Sequence, residues 1–140
     1  MDPPRPLLAV TVDGRPVSVP AGRSVLEACR VAGSEVPTLC FLETLTPVNV
    51  CRVCVVEVEG SRTLVPACSR VVEAGMVITT DSERARHSRR LVFELLASSV
   101  DLSLVGEETE AWMEAAAVDG GRFGQEAATV AQPAKVQDDL

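Results

Sequence analysis

No tyrosine occurs in these 140 residues, and the other aromatics amount to Phe41, Phe93, Phe123 and Trp112. Binding to single-stranded nucleic acid draws on aromatic platforms for base stacking. The chain has few of them, and its net charge of −7 has the wrong sign for a phosphate backbone. Nucleic acid is therefore not an expected partner. Long apolar runs are missing too: nothing approaches the ~20 residues a membrane span needs, so no direct membrane insertion is expected. The opening "MDPPRPLLAVTVDG" has a short apolar stretch that reads as a strand and carries no secretory pattern. A cytoplasmic, reducing location is the expectation. No G-x-G-x-x-G or phosphate loop is present, so nicotinamide or flavin binding is not expected of this chain. A single histidine, His87, lies in an arginine-rich turn, where a solvated surface position is expected rather than a ligand.

What is present is aliphatic. Hydrophobic residues make up 46% of the chain, so a core of Val, Leu and Ala can form within a chain of one-domain length. Charge is uneven. Residues 1–80 are nearly balanced, whereas residues 101–140 hold nine acids against two bases.

"LLAVTV" and "PVSVP" flank Asp13-Gly14, a strong signal for a tight hairpin. Ser24 and Glu27 form an S-x-x-E capping box ahead of Val25, Leu26 and Cys29, and Gly33 stands where a helix ends, which predicts a helix over about 24–32. Pro37 imposes extended chain up to Cys40, and residues 41–50 show no period. "VCVVEVEG" and "RTLVPAC" read as a second hairpin, with "VVEAG" and "MVITT" as further short strands. This order of elements predicts an α+β fold of the β-grasp type, a mixed sheet gripping one helix, over residues 1–80. Residues 81–140 read as a helical extension. A helix is expected over about 82–99, capped by Thr80 with Glu83, its apolar side formed by Ala85, Leu91, Val92, Leu95, Leu96 and Ser99. Arg84, Arg86, Arg89 and Arg90 then fall on a solvated or partner-facing side. An acidic helix over about 107–117 and an extended C-terminal arm follow.

Four of the five cysteines are grouped: Cys40, then Cys51 and Cys54 as a C-x-x-C pair, then Cys68. In a reducing compartment such a set points to metal or redox chemistry rather than to disulfides. Zinc ribbons bring two close pairs of cysteines. Here a single close pair has a lone cysteine on either side, nearer to the plant-type iron–sulfur arrangement in which a long loop wraps the cluster and a later strand supplies the last ligand. Spacing alone leaves open a 2Fe–2S cluster, a structural zinc and plain thiols. A thioredoxin-like dithiol fits poorly, because a strand rather than a helix follows "CRVC".

With these segments in hand, the chain resembles the N-terminal 2Fe–2S domain of the large peripheral subunit of respiratory complex I and the similar domains of NAD-linked hydrogenases and formate dehydrogenases. The likeness is carried by "VTVDGRPVSVPAGRSVLEACRVAG", "VPTLC", "CRVCVVEVEG", "LVPACSRVVEAGMVITTDS" and "RARHSRRLVFELLAS", roughly residues 8–99. It implies that Cys40, Cys51, Cys54 and Cys68 hold one 2Fe–2S cluster, two sulfurs on each iron. Members of the family usually have glycine where this chain has Asn49, and asparagine is the next most tolerant of left-handed backbone. They also commonly follow the long helix with a His-plus-three-Cys motif for a 4Fe–4S cluster. No cysteine follows Cys68, so no 4Fe–4S cluster is expected in this chain.

The function implied is one-electron relay inside a multi-subunit oxidoreductase (a NAD-linked formate dehydrogenase, a hydrogenase or a complex I-like enzyme), with flavin- or NAD-binding and catalytic subunits as partners and no catalytic residue of its own. A zinc-stabilised scaffold and a redox-sensing module are the alternatives. Cys29, on the apolar stripe of the first helix, reads as a core residue. Phe41 is expected to shield the cluster, and Arg52, between two ligands, is expected either to be a plain solvent-exposed residue or to favour the reduced state and dock an acidic partner.

Overall fold

The computed structural model describes residues 3–124, so the arm expected beyond Gly124 lies outside the described residues. Asp13 and Gly14, both at positive φ (49° and 80°), close the first hairpin between β1 (Leu7–Val12) and β2 (Arg15–Pro20). Alternation then decides the faces: Val10, Val12 and Val19 turn inward and the residues between them do not. Helix α1 (Val25–Val31) starts at Ser24 with both halves of the capping box formed, and it buries Val25, Leu26, Ala28 and Cys29 against β1 and β2. Gly33, at φ 76°, ends it.

After the cysteine loop come β3 (Val55–Val58), the two-residue β4 (Val65–Pro66) and β5 (Val77–Thr79). The sheet order is β2-β1-β5-β3-β4. Strand β5 runs parallel to β1, and every other pairing is antiparallel. A mixed five-stranded sheet holding one helix across one face is the β-grasp arrangement, an α+β fold. Segment 71–75 is not a strand. It makes a single bridge, Ser24 with Val71, and then turns at Gly75 (φ 80°), whose N–H donates to Ala9 O (2.8 Å) and so feeds β5 in beside β1.

Helix α2 (Glu83–Ser99) lies along β3, and α3 (Glu107–Ala115) follows a short 3-10 turn at Leu102–Leu104. Two details of α2 differ from the sequence reading. Its cap is Ser82, whose hydroxyl accepts from Ala85 N (3.1 Å), because Thr80 is already engaged with Asp13. Its inward face is Ala85, Arg89, Phe93, Glu94 and Ser98, whereas Leu95 is exposed and Leu91, Val92 and Leu96 are only half-buried. Apolar periodicity selected the neighbouring stripe, because polar side chains with internal partners occupy much of the buried one.

Asp13 does more than turn the hairpin. Its carboxylate accepts from Ser34 Oγ (2.6 Å), Thr80 N (2.8 Å) and Thr80 Oγ1 (2.6 Å), joining the hairpin, the exit of α1 and the end of β5. Burial works against its charge, but donation from Ser34 and Thr80 and the charge of Arg15 outweigh it and hold the carboxyl below the usual range. A depressed folded-state pKa contributes stability that is present above the unfolded value of ~3.9 and is lost as pH falls through the folded value. Asp13→Ala is expected to cost about 1–2 kcal/mol, discounted for the exposure of the site. The difference from the parent should shrink below about pH 4, as urea denaturation across pH would measure.

Candidate cluster-binding site

Two left-handed residues shape the cysteine loop. Asn49 (φ 55°) and Arg52 (φ 61°) each reverse the local direction of the chain. Asn49 thus takes the backbone state expected of it. Arg52 meets the same demand, which its sequence position did not reveal. Between them the backbone N–H groups of Cys51 and Val50 favour the ionised form of the Cys40 thiol, and Val53 N donates to Cys51 Sγ (3.5 Å). The loop is tied down from α1 by Arg30, which pairs with Glu43 and lies over the Phe41 ring (5.3 Å to the centroid). Phe41 is half-buried against the core and, with Leu45 and Pro47, lines a cleft that reaches Cys68.

Cys68 is placed by α1. The first-turn N–H groups of that helix have no partners within it, and two of them find carbonyls on either side of this cysteine: Val25 N donates to Arg70 O (2.8 Å) and Leu26 N to Ala67 O (2.9 Å). Ala67 N in turn donates to Cys54 O (3.1 Å), which draws Cys54 and Cys68 together. Both are buried, whereas Cys40 and Cys51 are half-exposed at the rim.

Cys51 bears on the ionisation of Cys40 and Cys54 on that of Cys68, and the sulfurs of Cys40 and Cys51 are felt electrostatically at Cys68 as well. Burial resists ionisation at Cys40, but the N–H groups of Cys51 and Val50 prevail and hold its thiol below the ordinary value. At Cys68, burial and the neighbouring sulfurs act together and push the thiol up to about 12. Four thiolates gathered in this way repel one another, and a resident cation removes the difficulty by favouring every ionised form at once. Among the described residues no three thiol, imidazole or carboxylate groups converge as a cage for one ion.

Cys29 stands apart in the core. Burial, helped by Asp13, pushes its thiol up to about 12. It should resist alkylation at neutral pH in the folded chain. Cys29→Ala should keep the iron content of the parent at a stability cost of about 1 kcal/mol, which mass spectrometry and iron assay check. His87 is at the surface, where its Nδ1 meets Arg90 Nη2 (3.1 Å). The solvated arginine face holds for Arg84 and Arg86 and fails for Arg89, which is 7% exposed and turned into the protein. Nothing in the apolar pattern of the sequence marks that residue.

A β-grasp sheet with four thiols grouped at one edge is a setting for a thiolate-held metal centre, and comparison with known families specifies which. Residues 5–83 match the family model described as a 2Fe-2S iron-sulfur cluster binding domain, and the chain belongs to that family. It is 46% identical over 97 residues to the NADP-reducing hydrogenase subunit HndD of Solidesulfovibrio fructosivorans, an alignment covering 66% of this chain and 17% of that protein. It is 44% identical over 87 residues to the NADH-ubiquinone oxidoreductase 78 kDa subunit of Candida albicans, covering 62% of this chain and 12% of that protein. A crystal structure of a NAD+-reducing NiFe-hydrogenase shares the fold with a TM-score of 0.74 at 24% identity, over 89% of this chain and 55% of the other. The chain is thus a 2Fe–2S domain homologous to subunits of an NADP-reducing hydrogenase and of an NADH-ubiquinone oxidoreductase, and it spans under a fifth of the length of those two relatives.

Proposed function

We propose that Cys40 and Cys51 hold one iron and Cys54 and Cys68 the other iron of a single 2Fe–2S cluster, and that the chain relays single electrons between subunits of a multi-subunit oxidoreductase. The observation that carries this reading is the placing of the four thiols, Cys40 and Cys51 half-exposed on the loop and Cys54 and Cys68 buried and tied together through Ala67, in a chain that matches a 2Fe–2S cluster binding family. The cluster, when bound, supplies one-electron chemistry. The chain's own part is to hold the sulfurs, to aim the N–H groups of Val50, Cys51 and Val53 at them, and to limit water through Phe41 and the aliphatic loop. Backbone donors and burial are the levers by which a protein sets such a potential.

Residues 1–80 form the cluster-binding domain in this reading, and residues 81–140 are an extension of it. The loop also offers a way out for the electron. Leu42, Leu45, Val48 and Val50 stand 61–71% exposed beside Cys40 and Cys51. An aliphatic collar of this kind marks a contact surface and supports docking of a partner subunit there. The partner would carry the flavin, the nicotinamide site or the reaction centre of a NAD-linked hydrogenase, formate dehydrogenase or complex I-like enzyme. No described helix is long and apolar enough to cross a membrane, and we place the work of the chain in the cytoplasm.

Anaerobic purification followed by metal analysis, absorption and EPR tests the reading. Two irons and two sulfides per chain, visible absorption that bleaches with dithionite and an S = 1/2 signal in the reduced state are expected. One zinc per chain and no colour would overturn it, and co-purifying subunits would name the reaction.

A further inference from the structure

A buried arginine with no carboxylate beside it is costly, and α2 contains one. Arg89 Nε donates to Val53 O (3.2 Å), and its Nη2 donates to Val55 O (2.7 Å) and Thr80 O (2.7 Å). Three carbonyls satisfy much of the fork. No carboxylate lies within salt-bridge distance of Arg89 among the described residues; Asp81 and Asp13 act on its charge only from farther off, Asp81 being paired with Arg86 and Asp13 engaged with Ser34 and Thr80. Val53 and Val55 flank Cys54, and Val53 N–H is the donor to Cys51 Sγ. The fork therefore grips the backbone on both sides of a buried thiol from a helix outside the cysteine loop, and it brings a cation with no salt-bridge partner beside the grouped thiols.

We propose that Arg89 is a positioning residue for the cluster, clamping the carbonyls on either side of Cys54 to α2 and supplying the buried positive charge that favours the reduced state. This rests on the electron-relay reading above. The role assigned by sequence position to Arg52 passes largely to Arg89. Arg52 is solvent-exposed, so salt screens its charge, while Arg89 acts through protein.

The test uses the full chain with Arg89→Gln, Arg89→Lys and Arg52→Gln. With the cluster loaded, EPR-monitored titration should find the reduction equilibrium of Arg89→Gln about tenfold less favourable, a fall of ~59 mV for one electron. That shift should persist from low to high salt, while any shift in Arg52→Gln fades. Arg89→Lys should stay within about threefold of the parent, because it keeps the charge and loses only the fork. A parent-like potential in Arg89→Gln overturns the proposal. In the iron-free chain, hydrogen exchange over residues 51–56 should rise about tenfold in Arg89→Gln, and unchanged protection there overturns the clamp whether or not iron is ever bound. Should Arg89→Gln not fold, Arg89→Lys decides. Altered g values with retained iron support the clamp, and a spectrum identical to the parent's overturns it. A parent that yields no 2Fe–2S signal overturns the relay reading and with it the role of the Arg89 charge, whereas a failed exchange result with the cluster present overturns the clamp and leaves the relay reading standing.

Discussion

Cys54→Ser or Cys68→Ser is expected to abolish iron retention, and Cys40→Ser or Cys51→Ser to weaken it while leaving a spectrally altered cluster. The difference follows from burial. Cys54 and Cys68 are each 2% exposed, so a hydroxyl placed there meets neither water nor a soft metal preference, and no outside ligand can reach the vacated position. Cys40 and Cys51 are half-exposed at the rim, where serine oxygen or water can take the place of the sulfur. Changes to groups that merely support a metal ligand already cost ~10–100-fold in affinity. Loss of a buried ligand should therefore exceed about 100-fold. Metal binding is also folding free energy, so these two variants should melt well below the loaded parent and close to the parent stripped by a chelator. Iron and sulfide assays with thermal denaturation measure both effects. Equal and complete loss at all four positions would show that the two pairs do not differ as their burial implies, and full retention at either buried cysteine would remove it from the ligand set.

The fold was legible where local chemistry speaks for itself. Asp13-Gly14 requires left-handed backbone, Ser24 with Glu27 satisfies orphan helix donors, and Val10, Val12 and Val19 alternate at period two. Each of these signals sits within a few residues of the structure it makes. The grouping of the four cysteines was legible for the same reason, through the C-x-x-C and the loop around it. What stayed hidden depends on partners far away in the chain. Thr80 looked like a helix cap, but Asp13, 67 residues earlier, takes its hydroxyl and its N–H. The interior of α2 was misread because Arg89 and Glu94 count as surface residues in any apolar pattern. They are buried only because carbonyls 34 and 36 residues away, and a guanidinium 28 residues away, receive them. Left-handed Arg52 was invisible as well, since nothing about arginine favours that conformation and the demand comes from the Val53 N–H reaching Cys51.

The contact between Glu94 and Arg122 yields an asymmetric expectation. Glu94 is 2% exposed and accepts from Asp119 N (3.1 Å) and from Arg122 Nη1 (3.0 Å), which pins the turn after α3 onto α2. Arg122 keeps 44% of its side-chain surface and lies over Phe123 (5.3 Å). Removing the acid frees an arginine that can turn to water, whereas removing the arginine strands a buried carboxylate with one donor. Arg122→Met should therefore cost about 2–3 kcal/mol, at or below the low end of the range for breaking a fully buried pair. Glu94→Gln, which keeps an acceptor for Asp119 N, should cost about 1 kcal/mol. The double variant Glu94→Met/Arg122→Met should recover most of the loss, because an apolar pair of similar volume needs no compensation. Urea denaturation gives the three free energies, and hydrogen exchange over residues 107–122 locates the opening. Absorption of the loaded chain should stay unchanged throughout, since Glu94 and Arg122 touch neither the thiols nor the carbonyls held by Arg89. A loss in Glu94→Gln larger than in Arg122→Met would mean that the arginine, not the acid, is the group the fold cannot leave alone.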